Sequence, residues 1–590
     1  MSGVTIAWLE SDPPTGTNQL WCLRTGRPVC VSPPELNIRS TVNSYGGGAF
    51  CLRANCAYVV DSQSQQVFAI ECNTGRCRRL TREHNSLFGG LVDDAPRERL
   101  LAVREQEHRN GVKTQQLVAI STRNGSVSVL MAGEDFYGAP SLSGDGSRLA
   151  WTTWSLPDMP WLKTRLWTAI VGPDGHLQMP REWAAPRDAA IQQPVFEGRY
   201  LWALSDHQGW WQPYRLDPDQ TVTSWQSVPC ERLDHANAPW QLQEHHQVPL
   251  GDAGWVRVCY RNGLGELWLY PTGPEPPVRL AEGYTDFRSL QGQGNKVMCV
   301  GRRPDALDAI LAVDPADGSV RLLAGGEQPL TADVCVLPEP FKFSADDGQS
   351  VGGFFYPSSS ISKHDPPPLI VLVHGGPSSA AYATFDPQVQ FWCQHGFAVA
   401  LVNHRGSTGS GRHFRLALAG NWGEMEVDDV CRAARELAGR GLAQRGRMFV
   451  QGRSAGGFTV LMALIRGDVF RAGASLFGVS DPVRLRAKTH RFESGYLDWL
   501  LGNPEQFAQR WQQRTPVNHA ERIRQPVIFF QGGLDTVVVP RQTESMVAAL
   551  KAAGREPEYH FFPDEGHGFR HAVNQTRLLE QLLAFYQRQQ

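Results

Sequence analysis

Short runs of alternating hydrophobic and polar residues fill the first 335 residues, and stretches with helical spacing are rare there. Such runs, separated by turn residues, are typical of β-strands. One phrase recurs, in which two polar residues precede an apolar or aromatic pair and a turn follows. Its copies are NQLWCL (18–23), QQVFAI (65–70), QQLVAI (115–120), TRLWTA (164–169), WWQPYRL (210–216), GELWLY (265–270) and DAILAV (308–313).

The spacing of these copies, roughly 43 to 54 residues, is the period of a four-stranded propeller blade. Seven copies therefore predict a seven-bladed β-propeller over residues 1–335. The fifth copy is the weakest because Pro213 interrupts it. The alternative is a large β-sandwich in which the similarity between strands is accidental.

The pattern changes in the second half of the chain, where strongly apolar runs alternate with helical stretches such as 427–440 and 542–554. The run SSSISKHDPPP (358–368) predicts a surface turn before this region. Continuous apolar strands alternating with helices indicate a parallel sheet covered on both faces. We predict an α/β domain over residues 336–590, with its chemistry at the carboxyl ends of the strands. Those ends read LIVLVHGGP, FAVALVNHRG, MFVQGRSAGG, AGASLFGVS, PVIFFQGG and EYHFFPDEG.

Ser454 lies in MFVQGRSAGG, where an apolar strand meets the start of a helix. This strand–turn–helix context is the one that a G-x-S-x-G nucleophile elbow requires. Small neighbours allow a sharp turn that exposes the serine hydroxyl, and the helix N-terminus places N–H groups beside it. We predict that Ser454 is a nucleophile.

A serine nucleophile needs a base and a group that orients the base. In α/β-hydrolases the chain order is serine, acid, histidine, and Asp535 in GGLDTVVVP and His567 in PDEGHGF follow successive strands. A helix cap or a turn is the alternative role for Asp535. Asp564 and Glu565 are rival acids, but each lies within three residues of His567 on the same loop. His560 is a rival base, but it lies inside the strand EYHFF.

An oxyanion hole needs one N–H from the residue after the nucleophile and another from a loop after an early strand. Ala455 supplies the first in this prediction. The loop HGGP (374–377) follows LIVLV, and we expect Gly376 to supply the second. We interpret His374 as a residue that stabilises the loop rather than as a second base.

With these residues assigned, the chain resembles the prolyl oligopeptidase family of serine peptidases, on its acylaminoacyl-peptidase and dipeptidyl-aminopeptidase-like branch. The resemblance implies a seven-bladed propeller capping an α/β-hydrolase, with Ser454, Asp535 and His567 as the triad. It covers nearly the whole chain. It rests on HGGP (374–377), VNHRGSTGSG (402–411), GRSAGG (452–457), RTPVNHAERI (514–523), QGGLD (531–535), EGHGF (565–569), DMPWLKTRLW (158–167) and SDHQGWW (205–211).

Three departures from the family pattern bear on substrate recognition. Many relatives have an aromatic residue where this chain has Ala455, and their N-Y-R-G-S loop has a tyrosine where this chain has His404. The dipeptidyl peptidase IV branch grips a free amine with adjacent glutamates, and this sequence contains no Glu-Glu pair. A dipeptidyl peptidase of that type is therefore disfavoured.

The segment 477–501 should border the site because it follows a strand and precedes a helix. Its aromatic residues, together with a valine near Asp535, could form an apolar pocket or simply pack in the core. These residues are Phe477, Phe492, Tyr496, Trp499 and Val538. The same segment has five basic residues, Arg484, Arg486, Lys488, His490 and Arg491, of which an arginine such as Arg491 could hold a substrate carboxylate; a solvated helix face is the alternative.

Composition narrows the functional class. The chain is 41% hydrophobic and 20% charged with a formal net charge of −2, and it lacks basic blocks, so we expect neither a nucleic-acid nor a membrane partner. Of the 12 cysteines, the pairs Cys51/Cys56 and Cys72/Cys77 do not have the spacing of zinc ligands, and we expect no metal and no cofactor. The N-terminal stretch MSGVTIAWLESDPP does not resemble a secretory signal, so we predict a cytoplasmic protein. A homo-oligomer such as a dimer is compatible with this picture.

The leading hypothesis is a serine hydrolase that cleaves amide bonds of short peptides or acyl-peptides through an acyl-enzyme, as an exopeptidase of aminopeptidase or acylaminoacyl-peptidase type. The second hypothesis keeps the triad but makes the enzyme an amidase, esterase or peptide cyclase acting on a specialised acylated metabolite. The third is a non-catalytic propeller scaffold, which the intact set of catalytic motifs disfavours.

Overall fold

The computed structural model describes residues 6–359 and 366–590. The predicted surface turn at 358–368 falls largely on residues outside these ranges. So do the first five residues of the N-terminal stretch from which we expect a cytoplasmic protein. All 12 cysteines are free thiols.

Seven antiparallel sheets follow one another over residues 7–325 and form the seven blades of a propeller, as the repeated phrase predicts. Their strands are Ala7–Asp12, Thr17–Arg24 and Arg27–Cys30 (blade 1); Phe50–Arg53, Cys56–Val60, Val67–Glu71 and Cys77–Arg79 (blade 2); Ser86–Asp94, Arg99–Glu107, Lys113–Ser121 and Val127–Ala132 (blade 3); Phe136–Tyr137, Ser141–Leu142, Arg148–Trp154, Arg165–Val171 and Leu177–Trp183 (blade 4); Ile191–Glu197, Tyr200–Ser205, Gln212–Leu216 and Gln226–Ser227 (blade 5); Gln247–Pro249, Trp255–Arg261, Leu264–Tyr270 and Val278–Leu280 (blade 6); and Asp286–Gln293, Lys296–Arg302, Ala309–Val313 and Val320–Gly325 (blade 7).

Every copy of the repeated phrase lies on the next-to-last strand of its blade. That strand is covered by the neighbouring blades on both faces, which explains why its apolar residues run together. Pro213 is accommodated in blade 5 because the short outer strand pairs only with Tyr214 and Arg215. The sandwich alternative is therefore wrong.

The α/β domain contains an eight-stranded sheet in the order expected of an α/β-hydrolase. Across the sheet, the strands are Glu339–Ser344, Ser350–Tyr356, Ala398–Asn403, Leu369–Val373, Met448–Arg453, Ala472–Leu476, Val527–Gly532 and Glu558–Phe562. The second strand is antiparallel to both of its neighbours, and the remaining pairs are parallel. The division between the two domains at residue 335 stays a prediction, and it falls between the last propeller strand and the first strand of this sheet.

Helices cover both faces of the sheet. Alternate residues of the central strands enter different cores: Val371 and Val450 pack with Phe458 on one face, and Ile370 and Phe449 pack against helices on the other. The α-helices are Pro387–Gln394, Gly411–Leu416, Met425–Gly439, Ala455–Arg466, Pro482–Lys488, Tyr496–Leu501, Ala508–Gln513, Pro540–Ala552 and Ala572–Arg588. Across residues 6–359 and 366–590, none of the helices combines the length and the apolar character needed to cross a membrane.

The two domains share one hydrophobic core. Because apolar burial is the main favourable term in association, this shared core holds the propeller over the α/β domain. The propeller contributes Phe136, Trp154, Met159, Trp161 and Trp211, and the α/β domain contributes Phe414, Trp422, Phe492, Tyr496 and Leu497.

Residues 237–246, which we call the axial segment, connect blade 5 to the innermost strand of blade 6. Gln243 Nε2 donates to the carbonyl oxygen of Leu91 in blade 3 (3.1 Å). The backbone N–H of Leu290 in blade 7 donates to the carbonyl oxygen of His245 (3.1 Å). Since blades 3 and 7 lie on opposite sides of a seven-membered ring, the axial segment crosses the central channel.

The axial segment also contacts the α/β domain. The backbone N–H of Ala238 donates to Thr408 Oγ1 (2.9 Å), and Trp240 Nε1 donates to the carbonyl oxygen of Ser378 (3.0 Å). The segment therefore stands between the propeller channel and the α/β domain.

Candidate active site

Ser454 lies at a strained turn between the strand Met448–Arg453 and the helix Ala455–Arg466, with φ 55° and ψ −122°. Positive φ is uncommon for a residue other than glycine and often marks a functional site. The turn depends on close backbone approach: a Cβ on Gly452 would lie 2.3 Å from the Gly456 carbonyl oxygen. The flanking glycines are therefore a steric requirement of the elbow.

Ser454, His567 and Asp535 form a continuous hydrogen-bonded array. His567 Nε2 lies 2.9 Å from Ser454 Oγ, and His567 Nδ1 lies 2.8 Å from Asp535 Oδ2. The other carboxylate oxygen of Asp535 accepts the backbone N–H groups of Val537 and Val538, each at 2.9 Å. Asp535 is buried, so its carboxylate is fixed in the orientation that holds one tautomer of His567.

The rival residues are engaged elsewhere. Glu565 accepts the backbone N–H groups of Arg570 and His571 (2.9 and 3.1 Å), which fixes the loop after His567. Asp564 is exposed and accepts from Asn574. His560 stacks on Phe530 with ring centroids 5.1 Å apart. None of the three contacts Ser454 or His567 among the described hydrogen bonds.

The HGGP loop lies beside the nucleophile, and Gly375, Gly376 and Ala455 all line the same cavity as Ser454. A Cβ built on Gly375 would lie 3.5 Å from Ser454 Cβ, so no side chain separates this loop from the serine. The backbone of the HGGP loop and of Ala455 thus lies close to Ser454. The assignment of Gly376 and Ala455 as oxyanion donors stays a prediction.

Two stacked imidazoles, the half-buried His374 and the buried His404, support the HGGP loop. His374 and His404 stack with ring centroids 4.4 Å apart, and His374 Nε2 lies 2.8 Å from Ser407 Oγ. Burial lowers the pKa of His374 well below its ordinary value and lowers the pKa of His404 to about 4. Both rings are therefore neutral near pH 7, as expected for a structural role.

The cavity in front of Ser454 has a volume of about 370 Å³. Of the predicted pocket residues, Phe477, Tyr496 and Val538 line it. The Phe477 ring lies 5.0 Å from the His567 ring, and Tyr496 OH lies 2.8 Å from Ser378 Oγ.

The structure does not bring the other three predicted pocket residues to the cavity wall. Phe492 is buried in the core shared by the domains, and Trp499 stacks behind Tyr496 (5.8 Å). Arg491 forms an ion pair with Asp135 and lies over the Phe136 ring at 4.6 Å. Arg491 is therefore neutralised by a contact with blade 4, and the structure does not support it as a carboxylate anchor.

Several residues that line the cavity were not found from the sequence, among them Tyr45 and Trp240 of the propeller, and Glu493. Tyr45 OH donates to Glu493 Oε1 (2.6 Å) across 448 residues of chain. The Tyr45 ring also packs edge-on against Trp240, with centroids 5.1 Å apart. Because these residues meet only when the domains dock, no local pattern marks them.

A buried charge cluster fixes the propeller over the site. The carboxylate of Asp206 in the propeller pairs with Arg412 (2.8 Å) and Arg415 of the α/β domain. Asp206 and Arg415 have no exposed side-chain surface. Asp234 accepts the backbone N–H of Gly411 (2.7 Å), also across the domain boundary.

Among the described residues, no group of three or more histidine, cysteine, aspartate or glutamate side chains is arranged to hold a metal ion.

The C-terminal part of the chain, residues 383–590, matches the model of the prolyl oligopeptidase family. A similar curated protein is dipeptidyl aminopeptidase BIII of Pseudoxanthomonas mexicana, which is 29% identical over 273 residues. The aligned region is 44% of this chain and 40% of that relative, so the chain spans less than half of the relative's length.

Solved structures match over nearly the whole chain. A puromycin hydrolase is 29% identical, with a TM-score of 0.94 over 98% of this chain and 92% of that chain. A puromycin-hydrolyzing peptidase of Mycobacterium tuberculosis is 28% identical, with a TM-score of 0.94 over 100% of this chain and 94% of that chain. The comparison supports the same two-domain arrangement of propeller and α/β-hydrolase.

Proposed function

We propose that this chain, a member of the prolyl oligopeptidase family, is a serine hydrolase that cleaves amide bonds of short peptides and aminoacyl amides. The observation that carries the proposal is the hydrogen-bonded array of Ser454, His567 and Asp535 at the wall of a cavity roofed by the propeller. We also propose a cytoplasmic location.

In the proposed mechanism, His567 Nε2 accepts the proton of Ser454 Oγ as the oxygen attacks the scissile carbonyl carbon. Asp535 holds the imidazole and stabilises its protonated form. N–H groups of Ala455 and the HGGP loop would bind the oxyanion. His567 then gives the proton to the leaving amine, and water repeats the sequence to release the acyl group from Ser454.

The cavity supports a small substrate with an apolar residue at the scissile bond. Its walls include Phe477, Val538, Leu497 and Leu500, and the volume of about 370 Å³ lies in the range of small-ligand sites. Folded proteins could not place a peptide bond at Ser454 beneath the propeller. Short peptides and single aminoacyl amides fit this geometry better.

A specialised amide is the second candidate substrate, and one observation favours it: the two solved structures compared above, each with a TM-score of 0.94, are those of puromycin-cleaving enzymes. Puromycin is itself an aminoacyl amide with an aromatic side chain, so it tests the same chemistry. We propose it as an alternative substrate beside short peptides.

The test combines labelling and turnover. Ser454 should be the serine labelled by a fluorophosphonate probe, and Ser454→Ala should lose both labelling and hydrolysis of peptide, aminoacyl-amide and puromycin substrates. Removing a serine nucleophile costs on the order of 10⁶ in turnover. Ser475→Ala, in a neighbouring strand of the same sheet, is the control. A folded Ser454→Ala protein with comparable turnover would contradict the proposal.

A further inference from the structure

Glu493 is a carboxylate in the wall of the cavity that the serine array does not use. It lies in the short helical turn Arg491–Glu493, its side chain is 13% exposed, and it lines the cavity together with Ser454. A carboxylate this far from water is costly unless it is paired.

The protein supplies Glu493 with neutral hydrogen-bond partners. Tyr45 OH donates to it at 2.6 Å, and Thr489 Oγ1 donates at 3.4 Å. Burial raises the pKa of Tyr45 well above its ordinary value, and Glu493 and Asp535 raise it further, so the hydroxyl stays protonated. Because the charge of Asp535 acts on Tyr45, the pair of Tyr45 and Glu493 lies close enough to the serine array to interact with it electrostatically.

Among the described residues, the basic side chain within ion-pair distance of Glu493 is His490, at 3.6 Å. Burial lowers the pKa of His490, so its ring is neutral near pH 7. No lysine or arginine of the described chain pairs with Glu493. The cavity therefore presents one carboxylate that lacks a cation.

The surroundings of Glu493 suit a small cation. Tyr45, Trp240 and Tyr496 line the cavity beside it, and aromatic rings attract ammonium groups. The apolar wall formed by Leu497 and Val538 would receive the adjoining side chain. An α-ammonium group next to an apolar side chain is the chemistry of the first residue of a peptide.

We propose that Glu493 binds the free α-ammonium group of the substrate, so that the enzyme accepts peptides and aminoacyl amides with an unblocked N-terminus and rejects N-acylated ones. This inference rests on the proposed function, since it concerns the same cavity. The anchor is a single carboxylate from the α/β domain, held in place by a propeller tyrosine.

The first test compares three substrates on the wild-type enzyme: phenylalanine 7-amido-4-methylcoumarin, its N-acetyl derivative and the 3-phenylpropanoyl analogue that lacks the amine. A charge-assisted hydrogen bond is worth about 10- to 100-fold in kcat/KM. We expect kcat/KM for the substrate with the free amine to exceed that for each neutral compound by about 10- to 100-fold. Equal rates, or a preference for the acetylated compound, would overturn the inference.

The second test uses Glu493→Gln, which keeps the size of the side chain and an acceptor for Tyr45. It should lower kcat/KM for the free amine by about 10- to 100-fold and leave the 3-phenylpropanoyl amide nearly unchanged. An equal loss on both substrates would indicate a structural role and contradict the inference. Glu521→Gln, at an exposed position, is the matched control.

A third measurement needs no variant. Phenylalaninamide should slow fluorophosphonate labelling of Ser454 at concentrations where N-acetylphenylalaninamide does not; equal protection by the two amides would again overturn the inference. Failure of the proposed function would look different, with no labelling of Ser454 and no cleavage of any of the three coumarin amides. Normal labelling without discrimination for the amine refutes the role of Glu493 alone.

Discussion

Replacing Asp206 with asparagine should loosen the propeller from the α/β domain. The carboxylate of Asp206 pairs with Arg412 and Arg415 across the domain boundary, and the Arg415 guanidinium lies over the Trp211 ring at 3.6 Å. Burial lowers the pKa of Arg415, and Asp206 and Asp234 partly offset that effect. The variant therefore leaves a buried guanidinium without its main counterion.

The expected cost is about 3–5 kcal/mol, because breaking a fully buried ion pair leaves an uncompensated charge. Arg415 regains water only when the domains separate, so this cost falls on the closed state. A difference of about 3 kcal/mol corresponds to roughly a 10²-fold larger population of open molecules. The control is Asp468→Asn, which breaks the exposed pair with Arg435 and should cost at most about 1 kcal/mol.

Amide hydrogen exchange measures the opening directly. The backbone N–H of Gly411 donates to Asp234 (2.7 Å), and that of Arg412 donates to the Gly209 carbonyl oxygen (2.7 Å), so both amides are protected only while the domains are docked. In Asp206→Asn their exchange should accelerate by about 10²-fold, since exchange follows the open population. Asp468→Asn should leave it unchanged.

A double variant separates the charge effect from general damage. Asp206→Asn combined with Arg415→Met removes the unpaired charge and should recover part of the protection, because buried ion pairs can often be replaced by apolar groups without loss. If the Gly411 amide exchanged as slowly in Asp206→Asn as in the wild-type protein, the reasoning would be refuted. A double variant worse than the single one would show that the cluster matters for packing rather than for charge.

Three further predictions follow from the site and its supports. Asp535→Asn should fold normally and lose about 10⁴ in kcat, because the imidazole tautomer is no longer held, whereas Asp564→Asn should retain activity. Steady-state assays of both variants test this prediction, and the reverse result would make Asp564 the acid. Burial raises the pKa of Glu426 to about 8, above its unfolded value of about 4.3, so its contribution to stability is present at low pH and is lost as the pH rises towards 8. The melting temperature of Glu426→Gln should therefore rise relative to that of the wild-type protein between pH 5.5 and 8.5. Parallel curves of melting temperature against pH for the two proteins would contradict this. In a mass-spectrometric time course, tetrapeptides should be cut faster than an unfolded protein is cut internally, and equal rates would exclude a roofed site.

The fold could be predicted because its signals are repeated or local. The phrase on the next-to-last strand recurs in every blade, and the elbow at Ser454 is contained in a few residues. Asp535 and His567 were identifiable since each follows a strand whose carboxyl end reaches the same edge of the sheet. The structure brings the three side chains together, and their catalytic roles stay predictions.

The cavity walls could not be predicted in the same way. Arg491 and Phe492 lie on a helical turn separate from the helix that carries Tyr496, and Trp499 stacks behind Tyr496 on that helix. Closeness in sequence therefore does not show which side chains reach the cavity. The contact between Tyr45 and Glu493 depends on how two domains dock. Neither hydrophobic pattern nor motif spacing encodes such a contact, because docking is determined by the summed surfaces of both domains.

The axial segment affects how this molecule can select substrates by size. A pore through the propeller would have a nearly constant diameter, fixed by the inner strands of seven blades. With residues 237–246 lying across that pore and bonded to opposite blades, we expect molecules to enter through the seam between the two domains instead. The width of a seam depends on how often and how far the domains separate. The length limit for substrates should therefore rise with temperature and with any change that weakens the charge cluster at Asp206. Selectivity by size then depends on the motion of the propeller relative to the α/β domain.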